Sequence, residues 1–164
     1  MRMFLFLLAF LPAPLFAEGL DGRTLSFHIE TWDDPAEPLF ETGVLTAPVG
    51  PGVELDVGTL GRKAGFDLIP LMVDVDGDRL TLDFSETGPQ DFYTSRFNGY
   101  VIDFGKGCPV LTGARLDHDA TTLPIGGKRL TVEDGVLRVN VSGLVTDWQQ
   151  KAVIRLELAP CTGG

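Results

Sequence analysis

Histidine, cysteine and serine are scarce in this chain of 164 residues, and their scarcity argues against several kinds of site. There are two histidines, two cysteines and four serines. A zinc site usually takes three or four ligands, with several His or Cys among them, so a zinc centre here would consist mostly of carboxylates. None of the serines lies in a G-x-S-x-G nucleophile elbow, and no phosphate-binding loop or dinucleotide-binding motif follows a predicted strand. The sequence therefore favours a non-catalytic role.

Basic residues are outnumbered by acidic ones, 13 to 23, and the formal net charge at pH 7 is −10. A field of this sign repels nucleic-acid phosphates and anionic lipid surfaces. We therefore expect no nucleic-acid partner and no peripheral membrane binding. The excess of carboxylates favours solubility, cationic partners or divalent cations.

The longest apolar run is too short to cross a bilayer, which takes about 20 apolar residues. It covers Phe4–Leu11 after a basic N-terminus, and two prolines and Ala17 follow it. This order is typical of a secretory signal peptide. We predict a signal peptide over residues 1–17, with cleavage after Ala17 or alternatively Ala13, and one mature domain over residues 18–164. The mature protein is expected to be periplasmic or secreted and to have no stable membrane insertion.

The two cysteines, Cys108 and Cys161, are predicted to form a disulfide bond. Export places them in an oxidising compartment, where pairing is the usual outcome. Neither has the CxxC spacing or the neighbouring basic cluster of a reactive thiol. The bond would tie the last predicted strand, AVIRLELAPC, to the segment GKGCPVLTGARL.

Long helices are disfavoured by 20 glycines and 11 prolines, since each such residue inside a helix costs about 1 to 3 kcal/mol against alanine. Apolar and polar residues instead alternate, which is the period of a half-buried strand. In RTLSFHIET, Leu25, Phe27 and Ile29 alternate with polar residues, and GVELDVG repeats the pattern through Val57. Further strands are predicted at residues 39–46, 66–73, 91–97, 99–104, 109–116 and 152–159.

Two Asp-Gly pairs between alternating runs predict hairpins, one at Asp76-Gly77 and one at Asp134-Gly135. Both pairs suit the positive φ angles of a type I′ turn. With about ten short strands and no repeat or linker, the chain is predicted to be all-β, a single antiparallel β-sandwich. A closed β-barrel is the alternative.

The order of features along the chain also carries a resemblance. The segment VGPGVEL, at the start of a predicted strand, is followed along the chain by RFNGYVIDF, TTLP and VNVSGL. In this order the chain resembles small, uncharacterised β-rich exported proteins of Gram-negative bacteria. The resemblance implies the β-rich fold and the periplasmic or secreted location, and it carries over no catalytic residue.

The segment TWDDPAEPLFE sets Trp32 beside the carboxylates Asp33 and Asp34. Aromatic rings beside carboxylates are typical of a glycan site, because sugar rings stack on aromatic faces and carboxylates accept their hydroxyls. We predict a ligand-contact surface of Trp32, Asp33 and Asp34 together with Tyr93 and Trp148. The structural alternative is that Trp32 caps the core and the carboxylates are solvated.

Asp74, Asp76 and Asp78 form an acidic run, VDVDGD, that resembles the start of a calcium loop. An EF-hand needs glycine at its sixth position and an acid at its twelfth, and this run has neither. Weak calcium binding is the one metal or cofactor prediction, and an Asp-rich hairpin turn is the alternative. His118, between two aspartates, is more typical of a solvated turn than of a metal ligand.

The stretch RFNGYVIDF leaves two alternatives for Asn98-Gly99. A tight turn would start a new strand at Tyr100, and a bulge would let Phe97, Tyr100 and Phe104 continue along one strand. These rings would then fill the core or, alternatively, offer a platform for an aromatic ligand.

Taken together, the sequence favours an exported binding or structural module that recognises an envelope or extracellular protein, or a glycan, through loops at the end of the sandwich. Two alternatives stay open. One is a small periplasmic hydrolase or lyase that uses Asp33 or Asp34 with His118. The other is a calcium-stabilised structural protein.

Overall fold

The structure is a computed structural model that describes residues 19–160, and it confirms the predicted all-β sandwich. The predicted signal peptide and Cys161 lie outside the described residues. Thirteen strands fall within residues 19–160, and three of them have two residues each. The strands are β1 (Thr24–Trp32), β2 (Phe40–Glu41), β3 (Leu45–Pro48), β4 (Val53–Asp56), β5 (Met72–Asp76), β6 (Arg79–Asp83), β7 (Gln90–Asp91), β8 (Phe97–Asp103), β9 (Val110–Leu116), β10 (Leu130–Glu133), β11 (Val136–Asn140), β12 (Val145–Thr146) and β13 (Lys151–Ala159).

Two antiparallel sheets form the sandwich. Sheet I has the order β10-β11-β8-β1, and β2 and β3 both pair with the remaining edge of β1. Sheet II has the order β4-β5-β6-β13-β9, and β7 pairs with β12 separately. At the margins β3 contacts β4 and β10 contacts β9. Within the described residues the two sheets do not close into a barrel, so the sandwich is the correct alternative.

Strict alternation along β1 decides which side chains face the core. Leu25 and Phe27 are fully buried between the sheets, while His28, Glu30 and Trp32 lie on the opposite face of the strand and are partly exposed. Burying one large apolar side chain contributes about 1.5–3 kcal/mol. The same alternation therefore stabilises the sandwich and sets His28, Glu30 and Trp32 in a row on the outer face of sheet I.

One helix, α1 (Val57–Lys63), corrects the prediction that the strand pattern runs through Val57. Strand β4 ends at Asp56, whose carboxylate accepts a hydrogen bond from the backbone N–H of Thr59 at 2.9 Å and so caps the helix. A Cβ added at Gly61 would come within 2.7 Å of Leu68, so glycine lets the next segment pack closely against the helix. The strand predicted from residue 66 begins only at Met72.

The two predicted hairpins are both present, one of them with a shifted turn. Asp134 and Gly135 form the β10–β11 turn with φ angles of 52° and 79°, as a type I′ turn requires. In the other hairpin Asp76 pairs with Arg79, so the turn residues are Gly77 and the residue after it, one position later than predicted. Gly77 has φ 62° and takes the first central position, where a type II′ turn needs glycine.

Asn98-Gly99 forms neither a turn nor a bulge, because the two residues lie inside the continuous strand β8. The alternative in which the chain continues without a turn and the rings fill the core is confirmed for Tyr100 and Phe104. Asn98 pairs with Thr31 and Gly99 pairs with Glu30, with no shift of register. A Cβ at position 99 would overlap the carbonyl oxygen of Val139 on the neighbouring strand. Glycine is needed here for the close approach of two backbones rather than for a turn.

Two further strand predictions are only partly right. The segment 39–46 is divided into β2 and β3 around Thr42, whose Oγ1 accepts a hydrogen bond from the N–H of Ile29 at 3.0 Å. The segment 91–97 contributes only its first residue to β7 and its last to β8. Among residues 19–160, helices stay too short or too polar to serve as a membrane span.

Candidate functional site

Two cavities lie on opposite faces of the C-terminal half of β1. Glu30 and Trp32 line a cavity of about 550 Å³ on the outer face of sheet I, which we call the outer-face cavity. Ile29 and Thr31 line a cavity of about 530 Å³ on the inner side, at the end of the sandwich, which we call the end cavity. Because successive strand residues point to opposite faces, neighbouring residues of β1 line two separate cavities.

The outer-face cavity collects side chains from five strands of sheet I, from the loop after β1, from the residue before β8 and from a short 3-10 helix, Gly127–Arg129. Its lining residues are Glu30, Trp32, Pro35, Pro38, Glu41, Arg96, Phe97, Lys128, Arg129, Thr131, Glu133, Arg138 and Asn140. They include three carboxylates and four basic side chains, a different balance from that of the whole chain. The cavity therefore offers both strong acceptors and strong donors.

An aromatic pair forms part of the lining of this cavity. Trp32 and Phe97 face each other in the β1–β8 register, and their rings stack with centroids 5.2 Å apart at an interplanar angle of 21°. Phe97 is buried, and Trp32 is held by a hydrogen bond from its Nε1 to Glu30 Oε2 at 3.2 Å. The tryptophan ring is therefore fixed in place before any ligand arrives.

A cluster of His28, Glu30 and Glu41 borders the aromatic pair. His28 and Glu30 share one face of β1, and Glu41 of β2 lies opposite Glu30 in the register. His28 Nε2 is 2.8 Å from Glu30 Oε1, and one ligand atom of each of the three side chains lies within 4.8 Å of the others. Among the described residues, this is the one group of three with the spacing of a metal site.

Arginines line the other side of the cavity. Arg129 donates to the carbonyl oxygens of Asn140 and Ser142 at 3.2 and 2.8 Å, which fixes its position, and Arg138 lies 3.8 Å from Glu133. Each guanidinium has five N–H donors, so donors are left over for a ligand.

The end cavity is mostly apolar and aromatic. Its lining residues are Ile29, Thr31, Leu39, Phe40, Asp67, Leu68, Ile69, Gln90, Asp91, Phe92, Tyr93, Asn98, Gly99, Tyr100 and Val141. The buried polar side chains at its base satisfy one another. Thr31 Oγ1 donates to Asn98 Oδ1 at 2.9 Å, and Asn98 Nδ2 donates to the carbonyl oxygen of Tyr93 at 2.8 Å.

Of the predicted contact residues, Trp32 lines the outer-face cavity but its two neighbouring aspartates do not. Asp33 accepts a hydrogen bond from the backbone N–H of Arg96 at 2.8 Å, and Asp34 accepts one from Ala36 at 2.9 Å. Both carboxylates therefore hold the shape of the loop that borders the cavity.

Tyr93 and Trp148 lie apart from Trp32. Tyr93 lines the end cavity. Trp148 packs beside Gly88, where an added Cβ would be 3.2 Å from the indole ring, and it lines neither cavity as the structure describes them. The five predicted residues thus do not share one surface, although two of them reach two different cavities.

His118 and the acidic hairpin lie outside both cavities, as far as residues 19–160 define them. Asp117, beside His118, forms an ion pair with Arg155 at 3.2 Å, and Asp78 lies 3.4 Å from the same guanidinium. Asp74 and Asp76 pair with residues of β6 in the hairpin. Calcium binding at Asp74, Asp76 and Asp78 stays a prediction.

The sequence analysis did not select Glu30, Arg138 or His28 as site residues, and Glu41 entered it only as the last residue of the segment TWDDPAEPLFE. The alternation of β1 was a usable signal for part of this set, because it places His28, Glu30 and Trp32 on one face. Glu41 and Arg138 come from other strands, and their positions depend on strand order.

Comparison with known proteins gives no match: no protein-family model, no curated protein and no solved structure matches this chain. The resemblance to exported proteins of Gram-negative bacteria stays a prediction.

Proposed function

We propose that the protein is a non-catalytic, exported binding module that recognises a glycan in the outer-face cavity. The observation that carries this proposal is the stacked pair Trp32–Phe97, set between a carboxylate cluster and arginines in a cavity of about 550 Å³. Small-molecule sites commonly have this size and combine apolar walls with a few well-placed polar groups.

The chemistry of a sugar ring matches this arrangement. One face of a pyranose carries mainly C–H groups, which pack on an aromatic ring, while its hydroxyls both donate and accept hydrogen bonds. Glu30 and Glu41 would accept from the hydroxyls, and Arg96 and Arg138 would donate to them. A tryptophan already held by Phe97 and Glu30 loses little freedom when the ligand binds.

Substitution of Trp32 tests the proposal, and Trp148 offers a matched control because it is the other tryptophan and lies outside both cavities in the described structure. We expect a glycan array to identify a ligand for the wild-type protein. Trp32→Ala should then weaken its binding in calorimetry about tenfold, which corresponds to about 1.4 kcal/mol. Trp148→Ala should bind like wild type.

The proposal is wrong if Trp32→Ala and wild type bind the glycan equally, or if an array of neutral and acidic glycans returns no ligand. Trp32→Phe provides a further check, since a smaller ring should retain part of the affinity. Thermal melting of each variant separates loss of binding from loss of fold.

A second candidate function, glycoside hydrolysis, is favoured by the proximity of Glu30 and Glu41. Their carboxylate oxygens lie within 4.8 Å of each other, and retaining glycosidases hold two carboxyl groups about 5–5.5 Å apart. This candidate predicts cleavage of the bound glycan, and Glu41→Gln should abolish cleavage while binding persists. A glycan that binds and is recovered intact supports the binding module instead.

Export and the disulfide bond belong to the same proposal. Ala159 pairs with Val110 in the β9–β13 register, and in the sequence Cys161 is two residues beyond Ala159 as Cys108 is two residues before Val110. An antiparallel pair continued at this register would set the two cysteines opposite each other. Expression with fractionation and N-terminal sequencing tests export, which predicts a mature chain that begins after Ala17 or Ala13.

A further inference from the structure

A second ligand site is indicated by the charges around the end cavity. Asp67 and Asp91 line it, both are exposed, and within residues 19–160 neither carboxylate takes part in an ion pair. The described lining includes no lysine, arginine or histidine. The outer-face cavity, in contrast, has four basic side chains. The end cavity therefore attracts cations and repels anions.

Aromatic rings supply the second feature of a cation site. Phe40, Phe92, Tyr93 and Tyr100 all line the end cavity. Tyr93 is 64% exposed and Phe40 38% exposed, so two of the rings lie where an incoming ligand would meet them. The face of an aromatic ring attracts an organic cation through its quadrupole, most strongly where water is excluded.

The base of the cavity suits an apolar group. The buried side chains of Thr31 and Asn98 are hydrogen-bonded to each other, and Asn98 also donates to the carbonyl oxygen of Tyr93. An apolar ligand body placed against them would therefore break none of these hydrogen bonds. Burial raises the pKa of Tyr100, so its phenol stays neutral and adds no charge.

We propose that the end cavity binds a small organic cation, an ammonium group carried on an apolar body, with the charge near Asp67 and Asp91 and the body among the aromatic rings. The cavity volume of about 530 Å³ fits a small molecule. This site is independent of the glycan site, because the two cavities lie on opposite faces of β1 and share no lining residue.

Three probes of similar size separate the contributions of charge and apolar contact. Benzyltrimethylammonium carries the cation, neopentylbenzene is its uncharged carbon isostere, and benzenesulfonate carries the opposite charge. In a titration followed by amide NMR shifts, we expect the cation to shift the signals of Leu39, Asp91 and Tyr93. The neutral isostere should bind about tenfold more weakly, and the anion should cause no shift at these residues.

Matched variants assign the charge effect to the cavity. The double variant Asp67→Asn/Asp91→Asn should weaken binding of the cation about tenfold, and added salt should weaken wild-type binding in the same direction. Asp119→Asn, which changes an exposed aspartate outside the cavity, should have no effect. Trp32→Ala should also have no effect, so failure of the glycan proposal would leave this one standing.

Several outcomes would overturn the inference. They are equal affinity for the cation and its neutral isostere, unchanged binding in the double variant, or no shift at the lining residues at millimolar cation. Tighter binding of a peptide that contains trimethyllysine than of benzyltrimethylammonium would assign the cavity to a protein partner instead.

Discussion

Replacing both Cys108 and Cys161 with alanine should lower the free energy of unfolding by a calculable amount. The bond would close a loop of about 54 residues, for which the chain-entropy model gives a stabilisation of about 4 kcal/mol at 25 °C. The register adds to this expectation, because Ala159 and Val110, the strand residues nearest in sequence to the two cysteines, pair with each other. The folded chain would then change little when the bond forms, so the effect falls mainly on the unfolded chain.

Urea unfolding under oxidising and reducing conditions measures this effect. With a slope of about 2 kcal/mol per molar urea, loss of about 4 kcal/mol lowers the midpoint by about 2 M. Wild-type protein in reductant should unfold at nearly the same midpoint as Cys108→Ala/Cys161→Ala in oxidising buffer. The double variant should not respond to reductant, which controls for effects of the reductant itself.

Two results would refute the reasoning. Titration of two thiols in the native oxidised protein would show that the bond is not made. If the double variant unfolds at the same urea midpoint as wild type, the bond does not lower the entropy of the unfolded chain by the amount calculated from the loop length. Peptide mapping without reductant distinguishes a bond within one chain from a bond between two chains.

Three further predictions concern local structure. Asp56→Ala should lower the free energy of unfolding by about 1 kcal/mol, because it removes the helix cap. Hydrogen bonds from the side chain and backbone of Thr59 lower the pKa of Asp56 from 3.8. In urea melts from pH 7 to pH 2, the difference in stability between wild type and variant should therefore be complete above pH 3.8 and fall as the pH drops through the lower pKa of the folded state. Gly99→Ala should cost about 3 kcal/mol, because its Cβ would overlap the carbonyl oxygen of Val139. Gly126→Ala should change stability by less than about 0.5 kcal/mol, since nothing lies within 4 Å of a Cβ there and its φ is −102°.

The fold was largely predictable because alternation within a strand is a local signal. In β1 the alternation correctly predicts that Leu25 and Phe27 are buried in the core. The shifted hairpin shows the limit of that signal. A turn at Asp76-Gly77 would set Val75 opposite Asp78, whereas the observed register pairs Val75 with Leu80. Alternation along each strand is the same in both registers. They differ in whether Val75 lies opposite an apolar residue of the neighbouring strand.

The candidate site was less predictable, because it depends on which strands become neighbours. His28, Glu30 and Trp32 share a face by alternation alone. Glu41 joins them because β2 pairs with β1, and Arg138 joins them because β11 lies on the far side of β8. No local pattern encodes that order, so the sequence pointed to Trp32 but grouped it with Asp33 and Asp34, which do not line the cavity.

Asp33 and Asp34 help to determine the shape of the loop that borders both cavities. The loop after β1 contributes Pro35 and Pro38 to the outer-face cavity and Leu39 to the end cavity. Asp33 and Asp34 accept backbone hydrogen bonds at the start of this loop and so restrict its conformation before a ligand binds. A loop that is already ordered loses less entropy on binding. In the proposed glycan site, the acidic, proline-rich segment beside Trp32 would therefore support binding through the shape it imposes, and the carboxylates proposed to contact the ligand, Glu30 and Glu41, come from the strands.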